Sequence, residues 1–280
     1  MDVEALGVNE VAIRLGAFLL VLGGMLAWER LAPRRAPTVS RALRWLNNAG
    51  IVALDTLLVR LLFPAGAVAL GLFVEANGWG LLQWLGWPLW LTLPLGVVFL
   101  DLAIWAQHVL FHAVPALWRL HRMHHADLDF DVTTGLRFHP LEILLSMLIK
   151  AGVVAMLGVP GLAVLVFEVL LNATSMFTHG NVRLPPRLER PLRWVLVTPE
   201  MHRIHHSWHP EETNSNYGFN LSCWDRLLGT YRAAPRDGHE TMTIGLHEFR
   251  DPRWLRLDRM LLQPFRRPDG SPPRPGAPGP

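Results

Sequence analysis

The chain has 280 residues, 51% hydrophobic and 18% charged, with a mean hydropathy of +0.24, too apolar for an ordinary soluble domain and pointing to a helical membrane protein. Its formal charge of +3 comes almost wholly from arginine, because Lys150 is the only lysine, and no nucleic-acid-binding motif accompanies it. Cys223 is the only cysteine, which excludes disulfides within the chain and thiolate metal sites.

The first apolar run, Val11–Trp28, has spanning length and is interrupted only by Arg14. An acidic lead-in (Asp2, Glu4, Glu10) and the lack of a small-residue cleavage site make it a retained span rather than a signal peptide. Arg30, Arg34, Arg35, Arg41 and Arg44 follow, which predicts a cytoplasmic loop and an N-terminus outside. Asn48–Val74 reads as a second span carrying Asp55 and Arg60. The next loop, Glu75–Trp87, lacks basic residues and carries Trp79, Trp84 and Trp87, as an outer interface would. With these, the N-terminal spans occupy 1–107, and a third, Pro88–Gln107, returns to the cytoplasmic side. Residues 108–140 then form a cytoplasmic segment that Pro115 bends. Residues 141–178 read as a membrane hairpin, Leu141–Gly158 and Val159–Phe177, turning at Gly158-Val-Pro-Gly161. A polar, arginine-rich part covers 179–263, and 264–280 is a Pro/Gly-rich tail expected to be disordered. The expectation is an all-α polytopic membrane protein of about five spans with a histidine-rich di-metal site on its cytoplasmic face, placed in a bacterial inner membrane.

That site rests on three clusters: His108 and His112; His121, His124 and His125; and His202, His205 and His206. Residues three and four apart share a helix face, so each cluster aims its imidazoles one way. Imidazole is the commonest ligand for borderline transition metals, and eight are too many for one ion, so two metals are the simpler reading. Polar stripes lead toward the clusters in two spans: Asp101, Trp105, His108 and His112 in the third, Glu168, Asn172, Ser175 and His179 in the fifth. Lipid would penalise these side chains, which turns the stripes inward and makes His179 a candidate ligand, with a helix C-cap as the alternative. Asp101 either orients a ligating imidazole or pairs with an arginine at the interface. Arg60 and Glu168 lie at similar depth and are expected to pair. His139, before Pro140, is either outer support for a ligand or a plain cap. His209, His239 and His247 have no partner at helical spacing and are expected outside the site. Asn216, Tyr217 and Asp225 follow the third cluster in a polar loop, where hydrogen bonds to ring N–H groups are natural.

These clusters, in this order and with apolar spans between them, resemble the fatty acid hydroxylase / sterol desaturase superfamily of membrane di-iron oxygenases. The likeness extends to Asp101, Leu117-Trp-Arg-Leu120, Arg137-Phe-His-Pro-Leu-Glu142, Phe177-Thr-His-Gly-Asn181, Asn216-Tyr-Gly218 and Trp224-Asp-Arg-Leu-Leu-Gly-Thr-Tyr231, over about residues 95 to 232. It implies an O2-dependent enzyme with two Fe ions held by His108, His112, His121, His124, His125, His202, His205 and His206, with His179 as a ninth; zinc could substitute in a purified protein. The implied reaction is hydroxylation of a lipid C–H bond (fatty acyl, sterol or related), with desaturation a close second. Val109 stands where many members carry arginine, and Ser175 where some carry a further histidine. No heme, flavin or iron–sulfur motif is visible, so electrons are expected from a separate ferredoxin, cytochrome or reductase. A zinc-dependent membrane hydrolase is a competing reading, since imidazole-bound zinc activates water. A metal transporter fits less well, because the polar stripes stop at mid-depth.

Overall fold

The computed structural model describes residues 9–266, and the regular structure among them is helical, with only two isolated β-bridges. Five segments are long and apolar enough to cross a membrane, in agreement with the sequence. They are α1 (Glu10–Leu31); α2 (Arg41–Leu62) continued by α3 (Gly66–Ala76) and the one-turn α4 (Leu81–Trp84); α5 (Leu89–Ala113); α7 (Pro140–Leu157); and α8 (Gly161–Thr178). The chain is therefore an integral membrane protein. Leu20, Leu46, Leu61, Trp84, Trp90, Leu148 and Met156 stand exposed, a surface suited to lipid and costly in water.

Local chemistry sets the helix ends. Asn9 accepts from the amide of Ala12 and opens α1, and the Ser40 hydroxyl accepts from Leu43 and opens α2. The second span is not one unbroken helix over 48–74. It ends at Leu62, because Pro64 has no N–H to donate, and restarts as α3. Pro115 opens the short helix α6 (Pro115–His125) after extended Val114. Gly158, at φ +66, ends α7, and Gly80, at φ +91, lies so close that a Cβ there would be 2.1 Å from the Gly158 nitrogen. Neither position tolerates a side chain.

The central span is α8. Half of its apolar window is buried, against 6% for α1, which makes α1 the peripheral helix. Val68, Val74, Leu100, Ile104, Val154, Val164 and Phe167 form the core between α3, α5, α7 and α8. Gly71 and Gly161 let α3 and α8 approach until a Cβ on Gly71 would be 2.7 Å from the Gly161 Cα; close backbone approach is how helices pack where lipid supplies no hydrophobic drive. Glu168 does not pair with Arg60. Arg14 on α1, which packs along α8, meets Glu168 at 3.1 Å, and Lys150 extends to it from α7.

The remaining chain caps one end of the bundle with short helices: α9 (Pro186–Leu192), α10 (Pro199–His205), α11 (Pro210–Thr213), α12 (Cys223–Leu227), α13 (Gly238–Thr241) and α14 (Leu257–Leu262). The arginine-rich loop after α1 joins this cap: Arg34 donates its amide to the Asn181 carbonyl (2.8 Å), and Asp129 accepts from the amides of Thr38 and Val39 (2.9 and 3.0 Å). That loop and the histidine clusters thus lie on the same side of the bundle. Residues 264–266 are packed rather than disordered, since Arg119 and Arg122 donate to the carbonyls of Pro264 (2.6 Å) and Arg266 (2.5 Å). Residues 1–8 of the expected N-terminal segment and 267–280 of the expected tail lie outside the described residues.

Candidate metal centre

Where α5, α6, α8 and α10 meet, nine histidines converge in two groups. His108, His112, His121, His125 and His205 form one; His124, His179, His202 and His206 form the other; within each group the candidate ligand nitrogens lie within 4.8 Å of one another. The helical spacing divides α6 between them, so that His121 and His125, one turn apart, face the first group and His124 the second. His205 and His206 likewise part at the end of α10. His179 is the C-cap residue of α8, and it completes the smaller group. Eight of the nine side chains are buried, His112 only in part.

Ring orientation tests whether the residues fit metal ions. The Nδ1 atoms of His108, His124, His179 and His205 face the carbonyls of Tyr217 (2.7 Å), Arg137 (3.0 Å), Ser175 (2.7 Å) and Ser215 (2.7 Å). A carbonyl only accepts, so each Nδ1 carries the proton and each Nε2 keeps its lone pair. His121 Nδ1 faces the Glu142 carboxylate at 2.7 Å with the same result. The inward Nε2 atoms then crowd: His108 to His121 3.1 Å, His121 to His125 3.2 Å, His124 to His179 3.2 Å and His179 to His202 3.0 Å, and in the first and third of these contacts neither atom has a proton to share. Two imidazoles bound at about 2.1 Å and near right angles would place their nitrogens about 3.0 Å apart, the spacing seen. His112 Nε2, His205 Nε2 and both nitrogens of His206 are buried without any partner. The donor set fits two metal ions, five nitrogens around one position and four around the other.

Burial, and then the neighbouring imidazoles, hold His124, His125, His202, His205 and His206 well below the usual histidine range. Burial brings His179 down to about 4. The rings are therefore neutral at physiological pH and ready to ligate, without first losing a proton. Aromatic side chains cover the cluster: Phe138 stacks on His124 (4.5 Å, 10°), while Tyr217 and Phe219 close on His108 (5.4 and 5.0 Å). Gly135 makes room for α8, since a Cβ there would lie 2.6 Å from the Ser175 carbonyl and 3.0 Å from His179 Nδ1.

The supporting residues differ in part from expectation. Asp101 neither orients a histidine nor pairs with an arginine; it accepts from Trp224 Nε1 (2.8 Å) and the Leu221 amide (3.2 Å), because residues 220–224 of the cap reach α5 two turns before His108. His139 caps α7 through Nδ1, which accepts from the Leu141 amide (3.2 Å), and does not touch a clustered histidine. Asn216 ties the loop to the Met201 and Arg232 carbonyls (3.0 Å each), and Tyr217 supplies the carbonyl behind His108. Asp225 accepts from the amides of Tyr217 (2.8 Å) and Gly218 (2.9 Å), from Trp105 Nε1 (3.1 Å) and from the Thr230 hydroxyl (2.6 Å). His209 meets Asp237 (2.7 Å), His239 faces Glu200 (3.8 Å) and His247 stacks on Trp208 (4.6 Å); none belongs to either group.

Sequence reasoning missed Glu142 as the partner of His121, although it closes the Arg137–Glu142 motif; a carboxylate in the first turn of a Pro-opened helix was the available signal. It also missed Arg44, which binds Asp127 (2.7 Å) and Asp131 beneath the second cluster. Burial alone would raise Asp127, but the Arg44 charge overrides it and holds the carboxylate at about 2. Because Asp225 steadies the loop whose Tyr217 carbonyl fixes His108, Asp225→Asn should lower metal affinity roughly 10–100-fold while the protein still folds. Metal content together with a melting curve checks this, and an unchanged metal content would refute the support role.

The fold and site define a polytopic membrane protein with two all-histidine groups that could each hold a metal ion. Residues 93–230 match the fatty acid hydroxylase family. Among curated relatives it is 34% identical over 150 residues to ornithine lipid hydroxylase OlsE of Rhizobium tropici, covering 54% of this chain and 44% of that one. It is 32% identical over 145 residues to the alkylglycerol monooxygenase of Xenopus tropicalis (52% and 30%), and 30% identical over 142 residues to the cholesterol 25-hydroxylase of Rattus norvegicus (50% and 46%). The chain matches less than half the length of each of these relatives. No solved structure matches it.

Proposed function

We propose that the protein is a membrane-bound di-iron oxygenase that hydroxylates a C–H bond of a membrane lipid. The observation that carries this reading is the pair of converging imidazole groups set at the end of apolar spans. The printed names of the relatives, an ornithine lipid hydroxylase, an alkylglycerol monooxygenase and a cholesterol 25-hydroxylase, support a lipid substrate and hydroxylation. His108, His112, His121, His125 and His205 would hold one ion, and His124, His179, His202 and His206 the other. Iron bound there supplies O2 activation; the balance is one C–H bond, O2, two electrons and two protons giving one C–OH bond and water, with electrons from a separate redox protein.

The chain's own residues prepare that chemistry. Carbonyls and Glu142 fix five rings in the tautomer that points a lone pair inward. Phe138, Tyr217 and Phe219 keep the surroundings apolar, which limits bulk water and accepts an alkyl chain. The arginine-rich loop on the side of the clusters supports a cytoplasmic centre with the N-terminus outside, in a bacterial inner membrane. The test compares lipid extracts of cells with and without the protein, grown with and without O2. A lipid heavier by one oxygen should arise only with both, and purified protein should contain iron. Zinc with O2-independent lipid cleavage would overturn the proposal in favour of a hydrolase.

A further inference from the structure

On the far side of α10 from the histidines lies a cleft of about 550 Å³. Glu200 lines it, while His202, His205 and His206 of the same segment serve the metal groups. Arg34, Arg183, Arg190, Arg193 and Arg226 also line the cleft, so five positive charges face two negative ones in the lining, with Glu240, outside the lining, pairing with Arg34 (3.0 Å). Both lining glutamates are already engaged: Glu189 by Arg193 (2.5 Å) and the Thr198 hydroxyl (2.8 Å), Glu200 by Arg34 (3.5 Å), Arg193 (3.8 Å) and His239 (3.8 Å). The excess is real at depth. Arg34 and Arg193 are only 10% and 11% exposed, and Arg34 Nε, Arg226 Nε and His239 Nδ1 are buried with no partner. Burial, and then Arg203, Arg193, Arg34 and Arg35, push the His239 imidazole down to about 3, a mark of the positive field it sits in. Arg226 is held rigid between the rings of Trp194 (4.1 Å) and Tyr231 (3.7 Å). Arg183 and Arg190 stand exposed at the mouth without a hydrogen bond or ion pair among the described residues.

Exposed apolar residues adjoin the lining of this cleft in sequence. Leu188, Trp194 and Val195 are 59%, 67% and 59% exposed, and Leu227 and Leu228, which follow Arg226, are 74% and 53% exposed. These residues are not on a spanning helix, yet the structure ties them to the bilayer. Trp224 is bonded to Asp101 in α5, Asn220 to Thr174 in α8, and Arg34 follows α1 by three residues. Tryptophan beside arginine, with aliphatic side chains turned outward at this level, is the composition of a membrane interface.

We propose that the cleft binds the phosphate of an anionic membrane lipid, whose acyl chains lie over Leu188, Trp194, Val195, Leu227 and Leu228. Arginine suits phosphate because its planar fork donates in pairs, and the buried donors favour a small group that enters a concavity over a flat acidic protein surface. The inference does not depend on oxygenase activity, since metal content and product are measured separately.

The experiment uses the full chain in mild detergent, titrated with phosphatidylglycerol, phosphatidylcholine or soluble glycerol 3-phosphate while its melting temperature is followed. Phosphatidylglycerol should stabilise at the lowest concentration. The double variant Arg183→Gln/Arg190→Gln should shift that midpoint by roughly tenfold or more, and Arg183→Lys/Arg190→Lys should restore much of it. Neither arginine supports the fold through a bond, so the variants should retain wild-type metal content. Equal effects of phosphatidylglycerol and phosphatidylcholine, or of the wild type and the glutamine variant, would overturn the site. Glycerol 3-phosphate acting as well as the lipid would replace the lipid by a free phosphate compound. An inert phosphatidylglycerol, with an acidic ferredoxin binding the wild type and not the double variant, would replace it by a protein.

Discussion

His179→Ala should lose at least part of the bound metal and nearly all activity, while His209→Ala and His247→Ala keep both. His179 sits between His202 (3.0 Å) and His124 (3.2 Å), nitrogen to nitrogen, and its removal leaves three imidazoles in the smaller group. Its Nδ1 proton is committed to the Ser175 carbonyl, so the ring has one orientation and one free lone pair. Losing a ligand should cost more than the roughly 10–100-fold that follows loss of a partner behind one. The controls are informative because both are histidines of the same cap. His209 is bound to Asp237 and His247 stacks on Trp208. Metal analysis and product formation on the three variants decide the matter: a fully metallated, active His179→Ala protein would reduce His179 to a helix cap.

The membrane architecture was legible because lipid imposes a simple length rule. Runs near twenty apolar residues, punctuated by arginine or tryptophan, located all five spanning segments. The histidines were legible as candidates because helical spacing puts His121 beside His125 and His202 beside His206 before any tertiary contact forms. How the nine divide was not. His205 joins histidines of α5 and α6, and His179 joins the other set, through packing of segments 23 to 97 residues apart in sequence. Buried polar partners were hidden for the same reason. Asp101 lies on the inward stripe, but its partner Trp224 is 123 residues away, and nothing local distinguishes a carboxylate waiting for an indole from one waiting for an imidazole. The Glu168 pairing failed on a similar point. Depth alone allowed Arg60, whereas the packing of α1 on α8 brought Arg14, and the long side chain of Lys150 reached across from α7.

The case of Arg44 shows how strongly the site depends on such distant partners. Its guanidinium, 1% exposed, donates to both oxygens of Asp127 (2.7 and 2.8 Å), to Thr134 (2.9 Å) and to Asp131. These groups shape the turn from His125 to Arg137, whose carbonyl fixes His124. Arg44→Met keeps much of the volume and removes the charge, leaving two buried carboxylates without their cation. Breaking a buried pair in this way costs about 3–5 kcal/mol, far above the range for exposed pairs. The expected result is a melting temperature lower by roughly 10 °C, with loss of metal from the group containing His124 ahead of the other. Adding Asp127→Asn to Arg44→Met should recover part of the loss, because one stranded charge is gone, whereas Asp127→Asn alone should destabilise. A double variant no more stable than Arg44→Met would show that Arg44 acts through packing, and an Arg44→Met protein that melts like the wild type would remove the pair from the account of how the centre is held.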